Sequence, residues 1–313
     1  MPRPRRSEDL IVRIARLRYE QRLPQTEIAR QLGVSEATVS RCLKTALDLG
    51  YVEIQVAAKA FRDADAEQRL KRTFGLVHAV VVEERPGGTL DILAKATARL
   101  VEDVVETGDA IGVSDGLTVA AIAEALRRPA ARDLDVVSLV GGVGAPEEPS
   151  HSSEVCRRAA AGLGARAWQL PVPAIVDDDA IAAVLHDTAA VRAVFDRMRR
   201  VRVALVGVGT VSRDATIFRQ GLVDESLAGE IRARGAVGTI CARFFGPGGR
   251  PVGTGFDDRT LSIGLAELAR VEIRVGAARS PGKAPALRAA IEGGLLNAVA
   301  TDTPTAEALL AAA

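Results

Sequence analysis

From Leu76 onward, short apolar runs alternate with longer amphipathic stretches, and this alternation restricts the fold more than any other feature of the chain. VHAVVVE, AIGVS, DVVSLVGG, ARAWQLPVP, VRVALVGVG and LNAVATD each read as a buried strand, several of them ending in glycine. Helical periodicity lies between them, at 90–106, 118–127, 153–163, 179–199, 260–269 and 284–294. Strands apolar on both faces, alternating with helices, predict an α/β body built on a parallel sheet with helical cover. The segment 235–256, GAVGTICARFFGPGGRPVGTGF, departs from the pattern. There PGG separates two short apolar pieces, so a hairpin or small β insertion is expected.

The first fifty residues follow a different rule. In QTEIARQLGVSEATVSRCLKTALDLG, residues 25–50, Ile28, Ala29, Leu32 and Val34 form one apolar set, and Val39, Leu43, Ala46 and Leu47 form a second at helical spacing. Gly33 between them suits the positive φ that ends a helix, and Ser35 suits the cap of the next. Leu10, Ile14 and Leu17 add a first helix from Ser7 to about Arg22, and Pro24 falls near the start of the second. The third helix leaves Glu36, Thr38, Ser40, Arg41 and Lys44 facing outward, groups suited to base edges and phosphates in a major groove of double-stranded DNA. YVEIQV, at 51–56, alternates like a short strand and predicts the wing of a winged helix. The expected organisation is therefore a winged helix-turn-helix head at 1–58, a connector at 59–75 with a helix over Asp63–Thr73, and an effector body at 76–313.

Composition agrees with two domains. A chain of 313 residues, 48% of them hydrophobic, can bury a sizeable core. Its apolar runs are far shorter than the ~20 residues of a membrane helix, and the basic start MPRPRRS leads into an amphipathic segment. Cys42, Cys156 and Cys241 are odd in number and scattered, as expected of reduced thiols in a cytoplasmic protein, and with His78, His151 and His186 they show no metal-ligand spacing. No metal or cofactor is expected. Residues 1–50 carry ten Lys/Arg against six Asp/Glu, a net +4, while the remainder carries 31 against 34, a net −3. A basic head on a slightly acidic body is the sign expected when only the head meets phosphate. Arg3, Arg5 and Arg6 are placed either to contact DNA backbone as an arm or to form a solvated terminus.

In open parallel sheets ligands bind beyond the carboxyl ends of the strands, and glycine and hydroxyl residues are concentrated at those junctions. GVSDGLT follows one strand: Gly116 permits close backbone approach, and Ser114 and Thr118 can donate to an anion at the positive end of a helix. GGVG, with Gly141, Gly142 and Gly144, follows the next strand, and GVGTVS, Gly207 to Ser212, follows a third. Lys283 precedes a late helix and offers a point charge to a phosphate or carboxylate. These junctions predict a small-molecule pocket.

In this order the pieces resemble the SorC/DeoR-type sugar-responsive bacterial transcription regulators over nearly the whole chain. The resemblance rests on QTEIARQLGVSEATVSRCLKTALDLGYVEI, GDAIGVSDGLTV, VVSLVGGVG, LPVPAIV, GVG, GAVGTICARFF and GKAPALRAAIEGGLLNAVATDTPTAEALL. It implies a helix-turn-helix head, an effector body related to the sugar-phosphate isomerase and deaminase fold, assembly as a homodimer or homotetramer on operator DNA, and a sugar, polyol or sugar phosphate as effector. Ser35, Glu36, Thr38, Ser40, Arg41 and Lys44 then fall on the recognition helix, with Gln25 and Thr26 at the start of the helix before it. Gly116 and Thr118 match the family's anion loop, Gly141 and Gly142 its second loop, Gly207 and Gly209 its third, and Lys283 its late lysine. The chain departs from the family at three positions: Asp115 stands where tryptophan is common, Thr239 where an acidic residue is common, and Ser153 where asparagine is frequent.

Asp115 has three readings at this stage. It repels a doubly charged phosphate unless a cation compensates, it accepts hydrogen bonds from sugar hydroxyls, or it caps the following helix. A competing function, a sugar-phosphate isomerase or deaminase with an appended head, would draw its acid and base from Asp177, Asp178, Asp179 and His186. An acidic run at a helix start also serves as dipole complement, and the regulator, rather than an enzyme, is the favoured reading. Trp168 is expected in the core or the pocket wall.

Overall fold

Strand burial on both faces, the expectation from apolar run length, governs the architecture. The structure, a computed structural model, describes residues 6–311 apart from 22, 53–60, 146, 213–214 and 220. The chain forms two compact units, Met1–Ala57 and Ala58–Ala313.

In the first unit, α1 (Arg6–Tyr19), α2 (Gln25–Leu32) and α3 (Glu36–Asp48) pack through Ile14, Leu17, Ile28, Ala29, Val39 and Leu43. Gly33 ends α2 at φ 65°, and the Val34 N–H donates back to the Ala29 carbonyl at 3.0 Å. Ser35 caps α3, its Oγ accepting from the Thr38 N–H at 3.2 Å. After α3 the N–H groups of Tyr51 and Val52 both turn back onto the Ala46 carbonyl. The rest of the expected wing strand lies outside the described residues, as do Arg3 and Arg5 of the expected arm.

The second unit opens with α4 (Ala64–Phe74), capped by Asp63. This is the helix expected as a connector. It is not a free linker, because Ala66 and Leu70 are buried in the core of the sheet body. There follow β1 (His78–Val82), α5 (Thr89–Val104), β2 (Ala110–Val113), α6 (Leu117–Ala125), β3 (Asp135–Ser138), α7 (Ser152–Leu163) and β4 (Arg166–Trp168). Next come α8 (Asp179–His186), α9 (Ala189–Met198), β5 (Val201–Gly207), α10 (Thr216–Arg219), α11 (Glu225–Ala233), β6 (Gly238–Ile240) and β7 (Arg243–Phe245). The chain closes with α12 (Gly255–Asp258), α13 (Leu265–Leu268), β8 (Ile273–Ala277), α14 (Ala284–Glu292), β9 (Ala298–Asp302) and α15 (Thr303–Ala311).

Among the described residues, seven parallel strands form one sheet in the order β1-β9-β8-β5-β2-β3-β4. Side chains of α5, α6 and α7 such as Leu93, Ile122 and Val155 seal one face, and those of α4, α9 and α14 such as Leu70, Phe195 and Leu287 the other. From β2 the chain steps outward through β3 and β4, then returns to place β5 on the other side of β2 and steps outward again through β8 and β9. The direction of winding reverses between β2 and β5. A crevice opens at such a point beyond the strand ends, because the flanking loops leave in opposite directions.

Several local expectations are corrected. The expected helix 179–199 is two helices, broken where Thr188 adopts an extended backbone and its hydroxyl bonds the Leu185 carbonyl. The expected helix at 260–269 survives only as α13. Leu261 and Ile263 instead donate to the carbonyls of Ala174 and Leu139, so the segment is extended and stitches two loops together. β8 is a strand that apolar run length does not predict, because Arg274 interrupts its apolar residues. The small β insertion exists as the antiparallel pair β6–β7, but its turn is Cys241–Ala242 rather than PGG. Both turn residues have positive φ, 50° and 60°, as a tight primed turn demands. Neither is the Asn or Gly that usually announces such a turn.

Candidate functional site

The head presents its polar face on α3. Val39, Leu43 and Ala46 point inward, which leaves Ser35, Glu36, Ser40, Arg41 and Lys44 exposed. Thr38 is half-buried, its hydroxyl 2.9 Å from Ser35 Oγ, and Arg41 folds along the helix so that its Nε donates to the Ala37 carbonyl at 3.2 Å. Gln25 is half-buried and Thr26 exposed in the first turn of α2. An exposed row of hydroxyl, carboxylate and cationic groups on the second helix of a helix-turn-helix is chemically suited to a major groove.

In the second unit a cavity of about 630 Å³ lies over the ends of β2, β5 and β8, where the winding reverses. Asp115, Gly116 and Thr118 enter it from the β2–α6 junction, Gly207 and Gly209 from the β5 loop, and Lys283 from the segment before α14. The cavity also takes residues that the sequence did not mark: Arg279 and Ser280 after β8, and the Cys241–Ala242 turn. Thr239, noted only as a departure from the family, lines it as well. The signal missed for Arg279 was β8 itself, since a residue two positions beyond a central strand is a pocket position.

Backbone geometry explains the glycines. Gly116 has φ 104° and ψ 156°, a conformation essentially restricted to glycine, and its N–H donates to the Ser150 carbonyl. A Cβ on Gly209 would stand 2.7 Å from the Thr239 side chain, and these two residues exchange backbone hydrogen bonds at 2.9 and 3.0 Å. That close approach docks the β6–β7 hairpin onto the β5 loop. Three non-glycine residues of positive φ, Cys241, Ala242 and Ser280, all line the cavity.

Five sequence-marked residues, Ser114, Gly141, Gly142, Gly144 and Ser153, stand outside the cavity lining. Ser114 is buried beneath it: its Oγ accepts from the Gly207 N–H at 3.0 Å and donates to the Asp115 carbonyl at 3.1 Å, fastening the ends of β2 and β5 together. Gly141 and Gly142 serve packing, since a Cβ on Gly141 would lie 2.6 Å from the Pro173 backbone and one on Gly142 would lie 2.9 Å from His151 Nε2. Their loop contributes Val143 to the cavity. The physical reason is strand order, which puts β3 beyond β2 on the side away from β5 and β8. Ser153, in the first turn of α7, bonds His151 and Gln169 through its backbone.

The residues considered for catalysis also lie elsewhere. Asp178 caps α8 by accepting from the Ala180 N–H at 2.7 Å, Asp177 offers its carbonyl to Arg259, and His186 packs on Phe195. Trp168 is on the edge strand β4, stacked under the Arg197 guanidinium at 4.1 Å.

The cavity holds polar groups that the fold leaves without partners among the described residues. Thr239 Oγ1 and Arg279 Nε are buried and make no hydrogen bond. Burial holds Lys283 below the ordinary lysine range, with the Arg279 charge adding to the effect. Burial likewise pushes the Asp115 carboxyl up to about 6, against which only its own backbone N–H acts. Asp115 does not cap α6, whose N-cap is Gly116. The Cys241 thiol is raised well above its usual range by burial and by the nearby Asp115 charge, so it is no nucleophile at neutral pH. No cluster of His, Cys, Asp and Glu suited to a metal ion occurs among the described residues, and no described helix is long and apolar enough to cross a membrane.

An exposed polar face on the second helix of a helix-turn-helix, carried by a chain whose sheet holds a polar cavity at its switch point, defines a ligand-responsive DNA-binding regulator of transcription. Comparison with known proteins agrees. Residues 58–311 match the family described as "Putative sugar-binding domain", and residues 13–48 match region 4 of sigma-70. The chain is 33% identical over 310 residues to the sorbitol operon regulator of Klebsiella pneumoniae, covering 96% of this chain and 97% of that protein. It is 31% identical to the deoxyribonucleoside regulator of Bacillus subtilis, covering 98% of each. The crystal structure of the full-length Klebsiella regulator SorC superposes with a TM-score of 0.82 at 32% identity, over 97% of this chain and 98% of that one. The chain belongs to the SorC/DeoR-type family of sugar-binding transcriptional regulators.

Proposed function

We propose that the protein is a cytoplasmic, homo-oligomeric regulator of carbohydrate metabolism. Residues 1–58 bind operator DNA, and the body from 76 onward binds a sugar, polyol or sugar phosphate, with the 59–75 segment carrying the signal between them. Arg41 and Lys44 contact phosphate, Ser35, Glu36, Thr38 and Ser40 meet base edges or the backbone, and Gln25 and Thr26 approach phosphate at the start of α2. The effector lies over Gly116, Thr118, Gly207 and Gly209. Arg279 and Lys283 hold its anionic group where it has one, while Asp115 and Thr239 take its hydroxyls and Ser114 holds the β2 and β5 ends in place. Gly141, Gly142 and Ser153 have no part in this site.

The observation that carries the reading is the convergence of Asp115, Thr239, Arg279 and Lys283 on one cavity, where Thr239 Oγ1 and Arg279 Nε are buried with no hydrogen-bond partner among the described residues. Buried polar groups left unpaired cost free energy that a polar ligand restores. The named functions of the relatives, in sorbitol and deoxyribonucleoside control, are of the same chemical kind. No catalytic step is assigned.

The test is selection of a duplex from a random library by the full chain, followed by anisotropy titration of that duplex with salt and with sugars, polyols and their phosphates. Binding that weakens steeply with salt, with a slope reduced by about one in Arg41→Ala, supports the DNA face. Affinity for DNA that no compound changes would refute effector control.

A further inference from the structure

The charged groups of the cavity are not mixed but divided. Asp115 stands at the end of β2, its carboxylate close enough to Cys241 to raise that thiol. Arg279 and Lys283 follow β8. Because β5 separates β2 from β8, the two charged sides are two strand spacings apart, roughly 10 Å. Among the described residues Asp115 forms no ion pair with either cation, and neither cation is paired elsewhere. Thr239, bonded to Gly209 on the intervening β5 loop, brings a buried unpartnered hydroxyl between them. Asp115 is half-buried at the cavity wall and does not cap α6.

We propose that Asp115 determines the charge pattern of the effector. Its carboxylate accepts hydrogen bonds from the hydroxyl-bearing end of a polyhydroxylated ligand whose single anionic group rests on Arg279 and Lys283, and it excludes ligands that are anionic at both ends. This rests on the cavity being the effector site and narrows the effector to a compound with at most one phosphate or carboxylate. The selection works by opposition: a second anionic group reaching the β2 side meets the like charge of a half-buried carboxylate, and specificity of this sort comes from the repulsive element.

The experiment uses the full chain and a set of four-, five- and six-carbon sugars and alditols, each free, as the monophosphate and as the bisphosphate. Affinities are measured by calorimetry at pH 7.5 for the wild type and for Asp115→Asn, which keeps the shape and removes the charge. The wild type is expected to favour the best monophosphate over its matching bisphosphate by roughly tenfold or more. Asp115→Asn should shrink that ratio several-fold, chiefly by gaining affinity for the bisphosphate. A wild type that binds a bisphosphate as tightly as its monophosphate overturns the proposal without any variant. So does an Asp115→Asn protein that loses affinity for both while keeping the ratio, the behaviour of a merely structural residue. Failure of every compound to bind the wild type would instead remove the sugar-site reading itself, and this proposal with it.

Discussion

Replacing Asp115 by asparagine should stabilise the protein in the absence of ligand, and should do so only where the carboxyl would be charged. The group titrates at about 6 in the fold against an ordinary 3.8, and burial is the cause. The folded state therefore holds the proton more tightly than the unfolded chain. Below about pH 4 both states are protonated and the residue carries no ionisation cost. As pH rises the unfolded chain ionises first, the cost to the fold grows, and above about pH 6 it is complete. At about 1.4 kcal/mol per tenfold, the full cost is about 3 kcal/mol. Asparagine removes it but leaves its own amide partly unpaired, which offsets about 1 kcal/mol. The expected net gain at pH 8 is about 2 kcal/mol, or roughly 4–8 °C in Tm for a body of this size. Cys241 stays protonated throughout this range, and Arg279 and Lys283 are common to both proteins, so the difference between the two melting curves isolates Asp115. The single tryptophan, Trp168, lies in the sheet body, which makes its fluorescence a direct reporter of that unit. Wild type and variant are melted at intervals from pH 4.5 to 8. A gain that is the same at every pH, or a variant less stable than wild type at pH 8, would refute the reasoning. The confirming result would show a ligand site held at the expense of stability.

Three further outcomes are expected. Ala242→Gly relieves the left-handed backbone of the β6–β7 turn and should stabilise the sheet body by up to about 1 kcal/mol, read from the same fluorescence melt. Gly141→Ala drives a methyl into the Pro173 and Val172 backbone and should destabilise by about 1–3 kcal/mol, while the folded protein keeps its ligand affinity in calorimetry. Ser35→Ala removes the α3 cap and should lower head stability by about 1 kcal/mol, visible as faster amide exchange in α3 with no change in the sheet body.

The sequence by itself determined the head, because its signals are local. Gly33 and Ser35 act on the helices they adjoin, and the inward spacing of Val39, Leu43 and Ala46 turns Glu36, Ser40, Arg41 and Lys44 away from the three-helix core. It likewise determined most of the strands and helices of the sheet body, since burial on both faces requires continuous apolar runs. It failed where those local signals were weak, at β8 with its Arg274 and at a hairpin turn made of Cys241 and Ala242. The membership of the cavity was beyond its reach. GVSDGLT, GGVG and GVGTVS look equivalent along the chain, yet only lateral strand order decides which loops meet. That order joins β2 to β5 and β8, sends β3 the other way, and turns Gly141 and Gly142 into packing residues while bringing Arg279 opposite Asp115. Hydrogen bonds between distant strands set that arrangement, and no periodicity within one segment encodes it.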